Sequence, residues 1–267
     1  MSGTYSAAFF AFPAALLYLF AAFRQWQTLS HKKEANKPLV LLFGATASII
    51  HTLLLAGSVV QHGGFNFGFF NVGILISLVI SLLVIISSIS KPLENLLVAV
   101  FPMAALILLI DSITPNSDKV SQLTGGLGWH IILSILAYSI LVIAAIQAVL
   151  LYMQSKQLKS HKTSGLIKAL PPLQTMDALL FEMIWIGMVL LTAAFVVGWP
   201  HITDIQGQHL VHKTALSIMS WLVFATLLIG RFNFGWRGIT ASRWTLVGTG
   251  FLIMAYFGSK FVLELVL

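Results

Sequence analysis

Apolar stretches of about 20 residues, the length that crosses a bilayer as a helix, repeat along the whole chain with short polar breaks between them. Eight can be laid out: Tyr5–Phe23, Pro38–Val60, Phe67–Ile89, Leu93–Ile110, Trp129–Met153, Asp177–Trp199, His212–Gly230 and Trp244–Val262. In hydrocarbon every backbone N–H and C=O needs an internal partner, which a helix supplies within itself. The pattern therefore predicts an all-α, polytopic membrane helix bundle of about eight transmembrane helices, with residues 1–267 forming a single transmembrane domain. The fourth stretch is the shortest and follows the third after a tight turn at Ser90-Lys91-Pro92. Within the connection Ser155–Leu170, the segment Ser164–Leu170 with Leu166, Ile167 and Leu170 reads as a short helix on the lipid surface, ended by Pro171-Pro172.

The basic residues orient the bundle. Only Met1-Ser2-Gly3-Thr4 precedes the first stretch, without a basic residue or a small-residue cleavage site, so it is expected to be a retained span with the N-terminus outside. Twelve of the 15 Lys and Arg then fall in inward loops: Arg24, Lys32, Lys33, Lys37, Lys91, Lys156, Lys159, Lys162, Lys168, Arg231, Arg237 and Arg243. Lys119, Lys213 and Lys260 face outward. Every loop obeys the positive-inside bias, and an even number of spans puts the C-terminus outside as well.

Composition agrees. The chain is 58% hydrophobic and 9% charged, against roughly 25% charged in soluble domains, and its mean hydropathy is +0.94. Its apolar surface must meet the lipid bilayer. The formal charge of +7 is explained by topology, and no nucleic-acid partner is expected. The absence of cysteine excludes disulfides, iron–sulfur clusters, thiolate zinc sites and cysteine nucleophiles.

Candidate chemistry lies in the eight histidines. His31 and His161 belong to inner basic loops; His51, His62, His130, His201, His209 and His212 fall on the outer side. For most of them the ordinary reading is a polar residue in the headgroup region. His51 differs, because it sits inside Ala45-Thr46-Ala47-Ser48-Ile49-Ile50-His51-Thr52-Leu53-Leu54-Leu55. Ionisable groups at such depth face the bundle interior and tend to be functional, and neutral imidazole is the commonest metal ligand. His209 and His212 are three residues apart, one face of a helix, while His130 and His212 each open a span at the outer lip. Zinc would want about four ligands, and the outer carboxylates are only Asp111, Asp118, Asp204 and Glu264. Haem wants one or two axial histidines and an apolar slot. Composition permits this through Trp129, Trp199, Phe65, Phe67 and Phe69, with Lys213 and Lys260 as cations for the propionates.

Other polar residues have plainer roles. Asp177 reads as a helix N-terminal carboxylate, and Glu182, one and a half turns deeper, as a partner for an inner basic residue such as Arg231. Lys260 and Glu264 can pair at the outer interface. Gly63-Gly64-Phe65-Asn66-Phe67-Gly68 reads as a turn. No catalytic triad stands out, and no enzyme activity is expected.

The segments Ile50-His51-Thr52-Leu53, Gly128-Trp129-His130-Ile131-Ile132-Leu133-Ser134, Leu170-Pro171-Pro172-Leu173-Gln174-Thr175-Met176-Asp177, Gln208-His209-Leu210-Val211-His212-Lys213-Thr214, Gly230-Arg231, Gly235-Trp236-Arg237-Gly238 and Ala255-Tyr256-Phe257-Gly258 touch most spans. Together they give the chain a resemblance to the cytochrome c assembly family of haem-handling membrane proteins, of the CcsA and CcmC type. Within it the chain is most similar to the short inner-membrane branch of the YpjD and HemX type. The resemblance implies a role in cytochrome c biogenesis at the outer face of a bacterial inner (plasma) membrane, with haem b as cofactor and, as a further partner, another inner-membrane protein. It implies that His51 matches an intramembrane haem-ligand histidine, that His130 matches the first of two outer histidines, and that Lys213 stands where the family has a lysine.

The chain departs from the family pattern in three places. The loop from Gly198 to His209 has one tryptophan and no Trp-Asp pair; Ile229 stands at the second intramembrane ligand position; and no histidine follows His212. Two bis-histidine sites of the family's form cannot both be present. His209 and His212 are the available substitutes, giving one outward-facing site from His51, His130 and His212, with Trp129 and Lys213 beside it. Two other functions stay open: a transporter or channel subunit, disfavoured by the few polar residues in mid-span, and a membrane scaffold or accessory subunit of a transporter that has lost haem function.

Overall fold

The structure is a computed structural model. It describes residues 2–30, 36–62, 68–114, 125–160, 169–201 and 210–258, with side chains left out at 2–9, 61–62, 113, 201 and 210–211. The described residues form eight α-helices: α1 (Ser2–Leu29), α2 (Lys37–His62), α3 (Phe69–Ser90), α4 (Leu97–Ile113), α5 (Gly125–Lys159), α6 (Leu173–Gly198), α7 (Leu210–Phe234) and α8 (Ile239–Ile253). Short 3₁₀ turns precede α4 and follow α6, and a π-turn, Met254–Gly258, follows α8. Among the described residues six helical segments are long and apolar enough to cross a membrane: Lys37–Val60, Phe69–Ser90, Glu94–Ser112, Gly125–Lys159, Leu173–Gly198 and His212–Phe234. The helices α1 and α8 stand where the first and eighth spans are expected. Contacts divide the chain into two compact units, one holding α1–α4 and the other α5–α8.

In the first unit, α1 turns a row of small residues inward: Ala11, Ala14, Ala15, Ala21 and Ala22 are buried, with Tyr18 between them at 0% exposure. Between helices in lipid, where apolar burial gives no net drive, close packing of small residues takes over. The opposite face, with Phe12, Leu16 and Phe23, is exposed, as a lipid-facing surface should be. The helix α2 has a narrow buried stripe, Val40, Gly44, Ala47, Ser48 and His51, in which 40, 44, 48 and 51 follow at three to four residues and so line one face. Gly44 belongs to that stripe because the Phe101 ring of α4 lies where its Cβ would be. At the basic end of the unit Lys37 pairs with Glu94 at 3.3 Å.

In the second unit α5 and α6 pack closely. Ala137, Leu141, Ala144, Ala148 and Leu151 of α5 are buried at 0% exposure, and Gly187 of α6 sits with the Leu141 side chain in the place of a Cβ. The helix α8 is tied in by hydrogen bonds from Ser220 Oγ to Gly248 O at 2.8 Å and from Thr249 Oγ1 to Leu141 O at 3.3 Å.

Arg231 pairs with Asp177, Nη1 to Oδ2 at 2.8 Å. One expectation about charge is corrected: Asp177 is not a terminal carboxylate but is buried in the second turn of α6, and its Oδ1 accepts from the Gly238 N–H at 2.9 Å. The reason is tertiary. Gly235 and Gly238, at φ of +63° and +57°, fold the α7–α8 turn back over the start of α6, a backbone path open chiefly to glycine. Arg231 then donates to Trp236 O at 3.1 Å and stacks 4.4 Å from the Phe181 ring centre. The surface helix expected at Ser164–Leu170, the Lys260–Glu264 pair and the Gly63–Gly68 turn lie wholly or mostly outside the described residues.

Candidate functional site

Each unit holds one histidine whose ring is fixed at a nitrogen: His51 in the first and His130 in the second. His51 is carried by the buried stripe of α2, about 21 Å along the helix from Lys37 at 1.5 Å per residue, and is 0% exposed. Its Nδ1 lies 3.5 Å from the Tyr18 hydroxyl of α1, which is itself 2.9 Å from Ser48 Oγ. Ser48 Oγ donates to Gly44 O at 2.9 Å. Phe101 backs the Tyr18 ring at 5.2 Å between centroids. The other imidazole nitrogen, Nε2, is buried and meets no hydrogen-bond partner among the described residues. Buried polar atoms are nearly always paired, and an exception calls for an explanation.

His130 occupies the first turns of α5 and is half-buried. Its Nδ1 is 2.8 Å from the Ala194 carbonyl of α6. A carbonyl only accepts, so Nδ1 carries the proton and the neutral ring has its lone pair on Nε2. That is the tautomer of a histidine that ligates through Nε2 while a backbone carbonyl holds its other nitrogen. The close approach depends on Gly198, where a Cβ would run into the His130 ring, with Cε1 2.8 Å away. Trp129 and Trp199, next in sequence to His130 and Gly198, are exposed at 64% and 76%, as expected of aromatic residues at a membrane interface.

His212 is exposed near the start of α7. Lys213 stands with its Nζ 5.8 Å from the centre of the Tyr256 ring, in an aromatic group that continues through Phe257 to Tyr138. His31, His161 and His209 lie outside the described residues, as do the side chains of His62 and His201. Among the described residues no three His, Asp or Glu side chains converge on one metal position. A haem iron takes at most two axial protein ligands, so a haem reading draws on these histidines singly or in pairs. Ile229, at the position of a second intramembrane ligand, lines an apolar groove of about 400 Å³ with Trp185, Met188, Val189, Thr192 and Trp221. That groove offers no ligand nitrogen.

Reading the sequence missed the Tyr18–Ser48 pair. Its only linear trace is Ser48 one turn before His51 and a lone tyrosine on the alanine row of α1. The anchoring of His130 by a backbone carbonyl leaves no trace in sequence at all.

These observations define a class: an all-helical, multi-pass membrane protein with isolated histidines prepared at one nitrogen each. The family of the cytochrome c assembly protein matches residues 39–267, and the chain belongs to that family. It is 31% identical over 242 residues to the inner membrane protein YpjD of Escherichia coli K12, covering 89% of this chain and 91% of that one. It is also 31% identical over 140 residues to an uncharacterized 28.8 kDa protein from the nifR3-like 5′ region of Azospirillum brasilense, covering 52% of each. No solved structure matches the chain. With its membrane-length helices and an inner-membrane relative over nearly its whole length, it is a multi-pass inner-membrane protein.

Proposed function

We propose that this protein binds haem b through histidine and handles it for cytochrome c biogenesis, acting as an assembly component and not as an enzyme. The observation that carries the reading is the His51 Nε2 atom: buried in an apolar interior and without a hydrogen-bond partner among the described residues. An unpaired lone pair in that setting costs about 1–3 kcal/mol, and ligation by iron would remove the cost. The donor atom and its surroundings fit one axial position of a haem. His130 offers a second donor, since its proton is held on Nδ1 by Ala194 O. His212 is the third candidate for the iron, with His209, Trp129 and Lys213 as the other outer residues beside the haem. Haem supplies an iron centre that is carried or passed on; the chain's own residues supply the ligand nitrogens, an apolar enclosure that keeps water from His51, and the hydrogen bonds that hold the His51 and His130 rings.

The test is an absorption spectrum of the full-length protein purified in detergent after expression with ample haem, oxidised and dithionite-reduced. A strong Soret band with sharp reduced bands is expected, falling to less than half in His51→Ala. A colourless protein that also takes up no added haem would sink the reading in favour of a membrane scaffold that keeps the family fold without its ligand.

A further inference from the structure

We infer that Tyr18 and Ser48 are positioning residues for His51: a chain of hydrogen bonds from α1 and α2 holds the imidazole in its Nδ1–H tautomer, with Nε2 as the donor atom toward bound haem. The inference rests on the haem reading above and adds two residues to it, one of them on a helix outside the family match, which begins at residue 39.

The reasoning is a count of protons. The Gly44 carbonyl can only accept, so the bond at 2.9 Å takes the hydroxyl proton of Ser48. Ser48 Oγ then has only lone pairs to offer Tyr18 at 2.9 Å, and so does Ser81 Oγ of α3, a second partner of the same hydroxyl whose own proton goes to Ser77 O at 2.8 Å, so the phenolic proton goes to a serine. The Tyr18 oxygen in turn has only lone pairs left for His51, so the contact at 3.5 Å is a donation from Nδ1–H. This ordering satisfies every donor and leaves one lone pair, on Nε2, unpaired. The reverse ordering would leave a buried N–H orphaned, the rarer and costlier outcome. The chain is enclosed on all sides: Tyr18 and His51 are 0% exposed and Ser48 is 1% exposed, so water cannot substitute for a missing link. A partner on the second nitrogen orients a ligating histidine and raises its basicity, and loss of such a partner costs about 10–100-fold in metal affinity.

The test uses full-length, ¹⁵N-histidine-labelled protein in lipid nanodiscs, first without haem. The His51 signals, identified by their loss in His51→Ala, should show a protonated Nδ1 and an unprotonated Nε2. In the Ser48→Ala/Ser81→Ala double variant the Tyr18 proton loses both serine acceptors and turns to Nδ1, so the tautomer should switch to Nε2–H. In Tyr18→Phe the ring packing remains, Nδ1 loses its partner, and the two tautomers should mix. Haem titration should then show affinity reduced roughly tenfold or more in both variants, with thermal melts reporting that each is folded. Should Tyr18→Phe fail to fold, the double serine variant decides alone. An unchanged tautomer in that double variant overturns the proposal whatever haem does. A wild-type protein that takes up no haem while the tautomer still switches overturns the haem reading and the purpose assigned to the chain, and leaves the hydrogen-bond chain itself standing.

Discussion

His51 and His130 reach the same chemical state by different means. In the first unit the ring is fully buried and held by side chains, Tyr18 and behind it Ser48. In the second the ring is half-buried near a helix end and held by a backbone carbonyl, Ala194 O. A side-chain relay can be tuned or lost by a single substitution. A backbone anchor cannot be deleted; it can only be moved, by changing how closely two helices approach. The control point of the second histidine is therefore Gly198, whose missing side chain makes room for the ring, while that of the first is a pair of hydroxyl groups.

The widest effect on the second unit should come from its far end. Asp177→Ala removes the partner of Arg231 and the acceptor of the Gly238 N–H. With Asp177 buried and Arg231 a third exposed, the expected loss is about 2–3 kcal/mol, measured as reduced stability to heat or denaturant in detergent. The His130 tautomer should stay as it is. A change there would mean that the two ends of the second unit are coupled, and the contrast with His51 would then need restating.

Gly198→Ala acts on His130 directly. The added methyl meets the ring, so either the ring or α6 must shift, at about 1–3 kcal/mol. The ¹⁵N signature of a proton fixed on Nδ1 should be lost. Gly57→Ala, a position on α2 with nothing within 4 Å of its Cβ, should be neutral or slightly stabilising, since alanine is the better helix former. Equal behaviour of the two would remove the special status of Gly198. The smallest effect belongs to Lys37→Ala. The Lys37–Glu94 pair is partly exposed, at 35% and 26%, and such pairs contribute less than about 1 kcal/mol. A larger loss would show the first unit leaning on charge, where the present reading has it held by small-residue packing around Tyr18.

Chain periodicity was enough to read the class of fold, because hydrocarbon allows few solutions and the apolar runs state their own length. Helices stand at all eight expected positions. The boundaries moved where a run continued past its apolar core: α5 extends to Gly125–Lys159 through interfacial and basic residues that hydropathy alone assigns to loops. Two of the basic residues, Lys37 and Arg231, are drawn into ion pairs, with Glu94 and Asp177.

The candidate site was legible only in part. His51 could be singled out from sequence because an imidazole within an apolar run has a cost that position alone reveals. Its partners could not, since Tyr18 lies 33 residues away and is one aromatic among many until helix packing puts its hydroxyl beside the ring. Asp177 and Arg231 were each visible as charges; that the two meet depends on two left-handed glycines turning the chain back. Sequence by itself determined the membrane class, the order of the described helices and the place of His51 within an apolar run, because each follows from local composition and a spacing of 3.6 residues. Tertiary structure alone decided which nitrogen of each histidine is free, because a tautomer is set by whichever atom happens to lie within hydrogen-bonding distance, and that distance belongs to the packing of two helices and not to either one.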